Sequence, residues 1–137
     1  MPSLERILET AIYTADLEPS GHFYEEVMGL RPMFADQRLR AYDAGSGSVF
    51  LVFLRGASRD SAVLPQGTIP GHDAQGRLHL AFAIRADELG LWEERLRAHN
   101  IEIEARMDWP LGGKSIYFRD PDGHLLELAT PGLWPNY

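Results

Sequence analysis

The chain has 137 residues, 45% of them apolar, no cysteine and a formal net charge of −7. One domain's core fits that length. Without cysteine there are no disulfides, thiolate nucleophiles or thiolate metal sites, so any metal must sit on nitrogen and oxygen ligands. The acidic balance and the lack of any Lys/Arg cluster speak against nucleic acid. Lys114 is the only lysine, which excludes a lysine-based phosphate cradle elsewhere. No run of about 18 apolar residues exists, so no membrane span is expected. Residues 1–6 lack the basic start and apolar stretch of a signal peptide, which points to the cytoplasm.

In chain order, residues 4–14 read as an extended stretch, with Leu8, Thr10 and Ile12 on one face and Glu9, Ala11 and Tyr13 on the other. Asp16 has the chemistry of a helix N-cap, Pro19 is tolerated in the first turn, and the helix carries Phe23, Val27 and Met28 before stopping at Gly29. Three extended runs follow, over 30–35, 38–43 and 48–54, with Gly45-Ser46-Gly47 turning the last hairpin. From 55 to 76 the pattern lapses into Ser, Pro, Gly and Asp, which predicts a linker or loop, with 67–72 apolar enough to fold back over something. His72 in this loop is expected in solvent, its alternative being to swing over a site.

The same order then repeats. Residues 77–85 alternate, with Leu78, Leu80, Phe82 and Ile84 against His79, Ala81 and Ala83. A helix opens at Ala86 or Asp87, carries Leu89, Trp92 and Leu96 on one stripe, and ends at Asn100. Extended runs over 101–107, 114–118 and 124–129 complete the unit, and the aromatic, proline-rich tail 131–137 is expected to pack across an edge or a dimer seam. Residues 10–12 align with 80–82, 29–30 with 100–101, and 49–51 with 125–127, so two copies of one β-α-β-β-β unit stand in tandem. Module 1 spans about 4–55, the loop about 56–76 and module 2 about 77–130.

Between the last two runs, Asp120-Pro121-Asp122-Gly123 is turn chemistry. On the returning strand Leu126 and Leu128 share one face, and Leu125, Glu127 and Ala129 the other. Glu127 is thus a carboxylate on an apolar face. It requires a cation, a proton or a water-filled cavity. His124 points the opposite way and reads as a surface residue.

The tandem unit, with His-Phe-Tyr-Glu-Glu-Val-Met-Gly-Leu at 22–30 and Tyr-Phe-Arg-Asp-Pro-Asp-Gly-His-Leu-Leu-Glu-Leu at 117–128, resembles the vicinal oxygen chelate superfamily. Glyoxalase I, extradiol dioxygenases, methylmalonyl-CoA epimerase and the fosfomycin and bleomycin resistance proteins are members. The resemblance implies an α+β fold, a curved, cup-like mixed sheet with the helices outside. It implies a metal in the cup, with ligands from the first and last strands of each module. Carried over, those positions are Glu9, Leu51, His79 and Glu127. Leu51 cannot bind a metal, and Glu9 stands where the family more often has histidine.

Three ligands, Glu9, His79 and Glu127, would leave positions open for substrate, as in His/carboxylate triads. Two carboxylates and one imidazole suit Fe(II) or Mn(II), with Mg, Ni or Zn as further candidates. The competing reading of His79 and Glu127 is a hydrogen-bonded polar pair. Tyr117 is a candidate acid beside Glu127, while Tyr13, Leu51, Phe53 and Trp109 are candidate substrate-binding walls. Arg38, Arg40, Arg106 and Arg119 are available for a phosphonate, but no spacing converges them.

The expected function is a divalent-metal enzyme on a small substrate chelated through adjacent oxygens, with dioxygenase-like chemistry slightly ahead. The alternatives are a glyoxalase-like lyase or isomerase, a fosfomycin-type thiol transferase, and a metal-free drug-binding protein of the bleomycin-resistance type. A homodimer is expected.

Overall fold

The computed structural model describes residues 1–137, which divide into two compact units, 1–75 and 76–137. No helix is long and apolar enough to cross a membrane.

The first unit runs β1 (Glu9–Thr14), α1 (Leu17–His22), β2 (Arg31–Ala35), β3 (Leu39–Asp43) and β4 (Val49–Leu54), in the sheet order β1-β4-β3-β2. β1 begins later than residue 4 because its parallel partner begins only at Val49, which leaves the preceding residues without a ladder. Asp16 caps α1 as expected, its Oδ1 accepting the Glu18 N–H at 3.1 Å.

The helix does not stay α-helical to its end. From Phe23 to Val27 it widens into a π turn, closed by Met28 N–H to the Phe23 carbonyl. The wider winding draws Phe23, Tyr24, Val27 and Met28 toward one face, and all four are buried. Gly29, at φ 71°, then supplies the left-handed exit that a Cβ would resist. Against this face lie Ile12, Tyr42, Phe50 and Val52, with the Tyr24 and Phe50 rings 4.9 Å apart edge to face.

The stretch from 55 to 76 is not structureless. It holds a short hairpin, β5 (Ala62–Leu64) with β6 (Gly67–Ile69), whose three-residue strands are too short to show an alternation in sequence. Gly71 belongs to its return path, where an added Cβ would collide with the Arg59 carbonyl oxygen.

The second unit runs β7 (His79–Ala83), a 3₁₀ turn (Ala86–Glu88), α2 (Leu89–Ala98), β8 (Ala105–Asp108), β9 (Lys114–Arg119) and β10 (Leu125–Ala129). Its order, β7-β10-β9-β8, is that of the first unit strand for strand. Register repeats too: Glu9 pairs with Val49 where His79 pairs with Leu125. The strand expected from 101 starts at 105, because residues at its front serve the helix exit, with Ile101 N–H bonded to the Leu96 carbonyl. Leu96, Ile116, Phe118, Leu126 and Leu128 form this unit's core. The tail closes on the ends of β7 and β10, where the Tyr137 hydroxyl lies 3.1 and 3.0 Å from the Ile84 and Ala129 carbonyls.

Candidate metal centre

Strand parity decides which side chains can meet. In the second unit the face opposite Leu126 and Leu128 carries His79, Ala81, Leu125, Glu127, Ser115 and Tyr117. His79 is the cross-strand neighbour of Leu125, so Glu127, two residues on, lies diagonal to it and within reach. The His79 Nε2 and Glu127 Oε1 atoms are 3.3 Å apart.

The rest of each group is committed. His79 Nδ1 is 2.9 Å from the Leu125 carbonyl oxygen, which can only accept, so Nδ1 carries the proton. Glu127, 4% exposed, receives on Oε2 the Ser115 hydroxyl at 2.6 Å. Ser115 in turn accepts the Trp109 indole N–H at 2.8 Å. What remains is a nitrogen lone pair facing a carboxylate oxygen, which repel unless a cation lies between them or Nε2 takes a proton.

The spacing is one that two ligands of a shared ion would show. Ligand atoms about 2.0–2.2 Å from one ion, at tetrahedral or octahedral angles, lie about 2.8–3.6 Å from each other. A histidine fixed through its other nitrogen by a carbonyl, and a carboxylate fixed by a hydroxyl, are what orient first ligands.

Tyr117 is the register partner of Glu127 on β9. Burial foremost, then the charge of Glu127 and hydrogen bonding to it, push its phenol above the usual value, so it stays a neutral donor at physiological pH.

In the first unit Glu9 and Leu51 occupy the places that His79 and Glu127 hold in the second. Glu9 is exposed at the start of β1. Tyr13 and Phe53 are register partners and stack at 5.9 Å. Burial and then the Asp73 charge raise the Tyr13 pKa. His72 is not a free loop residue, because its Nδ1 is 2.7 Å from the Tyr13 hydroxyl and its ring sits edge-on to Phe53 at 4.5 Å. Trp109, expected as a wall, supports Glu127 through Ser115. Sequence reasoning passed over Ser115, although it shares the parity of Tyr117.

His124 also departs from expectation. It is fully buried, and its Nδ1 accepts the Leu78 N–H at 2.8 Å. Asp120 and Asp122 bring their oxygens close to it, within range of a shared ion. Yet Asp120 Oδ1 accepts the backbone N–H groups of Asp122 and His124, and the His124 proton is forced onto Nε2. These groups lock the turn that delivers Glu127. Replacing His124 by leucine therefore costs about 1–3 kcal/mol in chemical denaturation, through the Leu78 N–H left without its acceptor.

The model of the Glyoxalase/Bleomycin resistance protein/Dioxygenase superfamily matches residues 6–128, and the chain belongs to that superfamily. Metallothiol transferase FosB of Bacillus licheniformis is 29% identical over 121 residues, covering 88% of this chain and 71% of that protein. Fosfomycin resistance protein FosX of Listeria innocua is 41% identical over 56 residues, 40% of this chain and 42% of its own length. The crystal structure of lactoylglutathione lyase from Agrobacterium tumefaciens superposes with a TM-score of 0.88 at 31% identity, covering 98% of this chain and 99% of that one. The lean toward dioxygenase chemistry gains no support from these three relatives.

Proposed function

We propose that this chain is a divalent-metal-dependent transferase acting on a small, oxygen-rich electrophile, in the manner that the name metallothiol transferase describes for its relatives. The observation that carries the reading is the 3.3 Å approach of His79 Nε2 to Glu127 Oε1, with every other polar atom of the two side chains held elsewhere. His79 and Glu127 are the ligands that the second unit offers, and Fe(II) or Mn(II) suits an imidazole–carboxylate set best. Glu9 and Leu51 hold the matching places in the first unit, where Leu51 offers no ligand atom. A bound ion supplies Lewis acidity to a substrate oxygen.

The chain's residues do the rest. Leu125 and Ser115 fix the orientation of His79 and Glu127, and neutral Tyr117, the register partner of Glu127, hydrogen-bonds to its carboxylate. Apolar Leu51 and Phe53 exclude water beside Glu9. A homodimer and a small-molecule substrate belong to the same reading.

A lyase reading has its own support in the 0.88 TM-score to lactoylglutathione lyase. Activity on fosfomycin with a low-molecular-weight thiol, and on lactoylglutathione, separates the two. The transferase reading expects turnover of the first, lost with EDTA and restored by Mn(II). Turnover of lactoylglutathione alone selects the lyase, and EDTA-insensitive turnover of either overturns the metal assignment. Ser115→Ala is expected to weaken metal binding about 10–100-fold by freeing Glu127, with Ser115→Thr restoring it.

A further inference from the structure

Trp109 stands just beyond the end of β8, whose ladder to β9 closes with Asp108 opposite Lys114. Sheet pairing therefore does not hold it. A tight turn does: the Trp109 N–H donates to the Gly113 carbonyl at 2.8 Å, and the Gly112 N–H to the Trp109 carbonyl at 2.9 Å. An indole N–H can only donate. A fixed Trp109 thus makes Ser115 Oγ its acceptor and leaves the single hydroxyl proton for Glu127. Whatever holds this turn decides where the Ser115 proton points.

The tail holds it. The Gly113 N–H donates to the Gly132 carbonyl at 3.1 Å. One residue on, the Lys114 N–H donates to the buried Thr130 hydroxyl at 2.8 Å, and the Thr130 N–H to the Lys114 carbonyl at 2.9 Å. The two backbones approach so closely that a Cβ on Gly132 would lie 2.5 Å from the Gly113 nitrogen and 2.7 Å from the Leu111 carbonyl oxygen. Gly132 also has φ 103°, which a side chain resists. The tail closes on itself through the Gly132 N–H and the Tyr137 carbonyl at 2.8 Å. The Tyr137 hydroxyl, between the Ile84 and Ala129 carbonyls, pins the far side of this loop to β10 and the end of β7.

We infer that the tail is a positioning strap for the Glu127 carboxylate, in which Gly132 and Tyr137 act through the 109–113 turn, the Trp109 indole and the Ser115 hydroxyl. The strap's importance to chemistry rests on the metal reading, but its mechanical linkage does not. It gives the aromatic, proline-rich tail a role beyond covering a sheet edge.

The test labels the tryptophans of the full chain with ¹⁵N. Three indole signals are expected from the three tryptophans, and Trp109→Phe identifies the one from Trp109. In EDTA, Gly132→Ala is expected to speed exchange of the Trp109 indole hydrogen at least about tenfold, and Tyr137→Phe to speed it by less. Mn(II) affinity is expected to fall at least about threefold in both variants. It should fall no further when either change is added to Ser115→Ala, because the linkage runs through that hydroxyl. A tail that only stabilises the fold would lower the variants' melting temperatures and leave indole exchange and Mn(II) affinity of the folded protein unchanged, which overturns the strap. Equal Mn(II) losses with and without the Ser115 hydroxyl overturn it too. Should Gly132→Ala not fold, Tyr137→Phe decides by the same readings. Wild-type protein that binds no Mn(II), with indole exchange still governed by the tail, removes the metal reading and leaves the strap standing.

Discussion

Replacing His79 by alanine is expected to abolish divalent-ion binding while moving the melting temperature of the metal-free protein by no more than about 2 °C. The second half follows from position. The His79 side chain is 51% exposed, and substitutions at such sites stay within about 0.5 kcal/mol. The first half follows from what the imidazole is positioned to do. Its Nδ1–H is fixed on the Leu125 carbonyl, so Nε2 is the ring atom left to face Glu127 Oε1. The buried Glu127 carboxylate without the imidazole is a poor substitute for that pair. Wild-type protein at a free Mn(II) concentration 100 times its Kd gains about 2.7 kcal/mol, and the variant gains none. Thermal melts with and without Mn(II) read both halves. A variant whose melting temperature still rises with Mn(II) as the wild type's does would place the ion elsewhere.

Phe50→Ala carries the largest expected cost to the fold, about 3–5 kcal/mol in chemical denaturation. Phe50 is 1% exposed in the middle of β4 and meets Tyr24 at 4.9 Å and Tyr42 at 6.2 Å. Removing it leaves a cavity among rings that the sheet and the π turn hold in place. The loss is a large share of the roughly 5–15 kcal/mol that stabilises a domain. Leu51, one residue on, is only partly buried on the other face, and Leu51→Ala is expected to cost less than half as much. Equal losses at 50 and 51 would contradict the strand's register.

The architecture was legible because it is periodic and occurs twice. Strand alternation placed Glu9, Leu51, His79 and Glu127 on one set of faces, and the repeat aligned them in the register that the two sheets adopt. Asp16 and Gly29 marked the first helix's ends for local chemical reasons that packing did not override. Its π turn was not legible, since α and π windings share nearly the same apolar pattern over so few residues.

The polar partners were harder still, because hydrogen-bond geometry has no period. His124 looked like surface from its parity, yet the turn buries it to hold the Leu78 N–H. Ser115 looked like filler between Lys114 and Ile116, yet it fixes the carboxylate on which the site depends. In each case the informative fact is a contact between residues distant in sequence, which no single-strand pattern encodes.

The proposed role of His79 and Glu127 is to hold one divalent ion between them. Equilibrium dialysis of the full chain against Mn(II) or Fe(II), followed by elemental analysis, addresses it most directly. One ion per chain is expected for the wild type and none for His79→Ala or Glu127→Ala. Wild-type protein that leaves dialysis with neither ion bound would contradict that role.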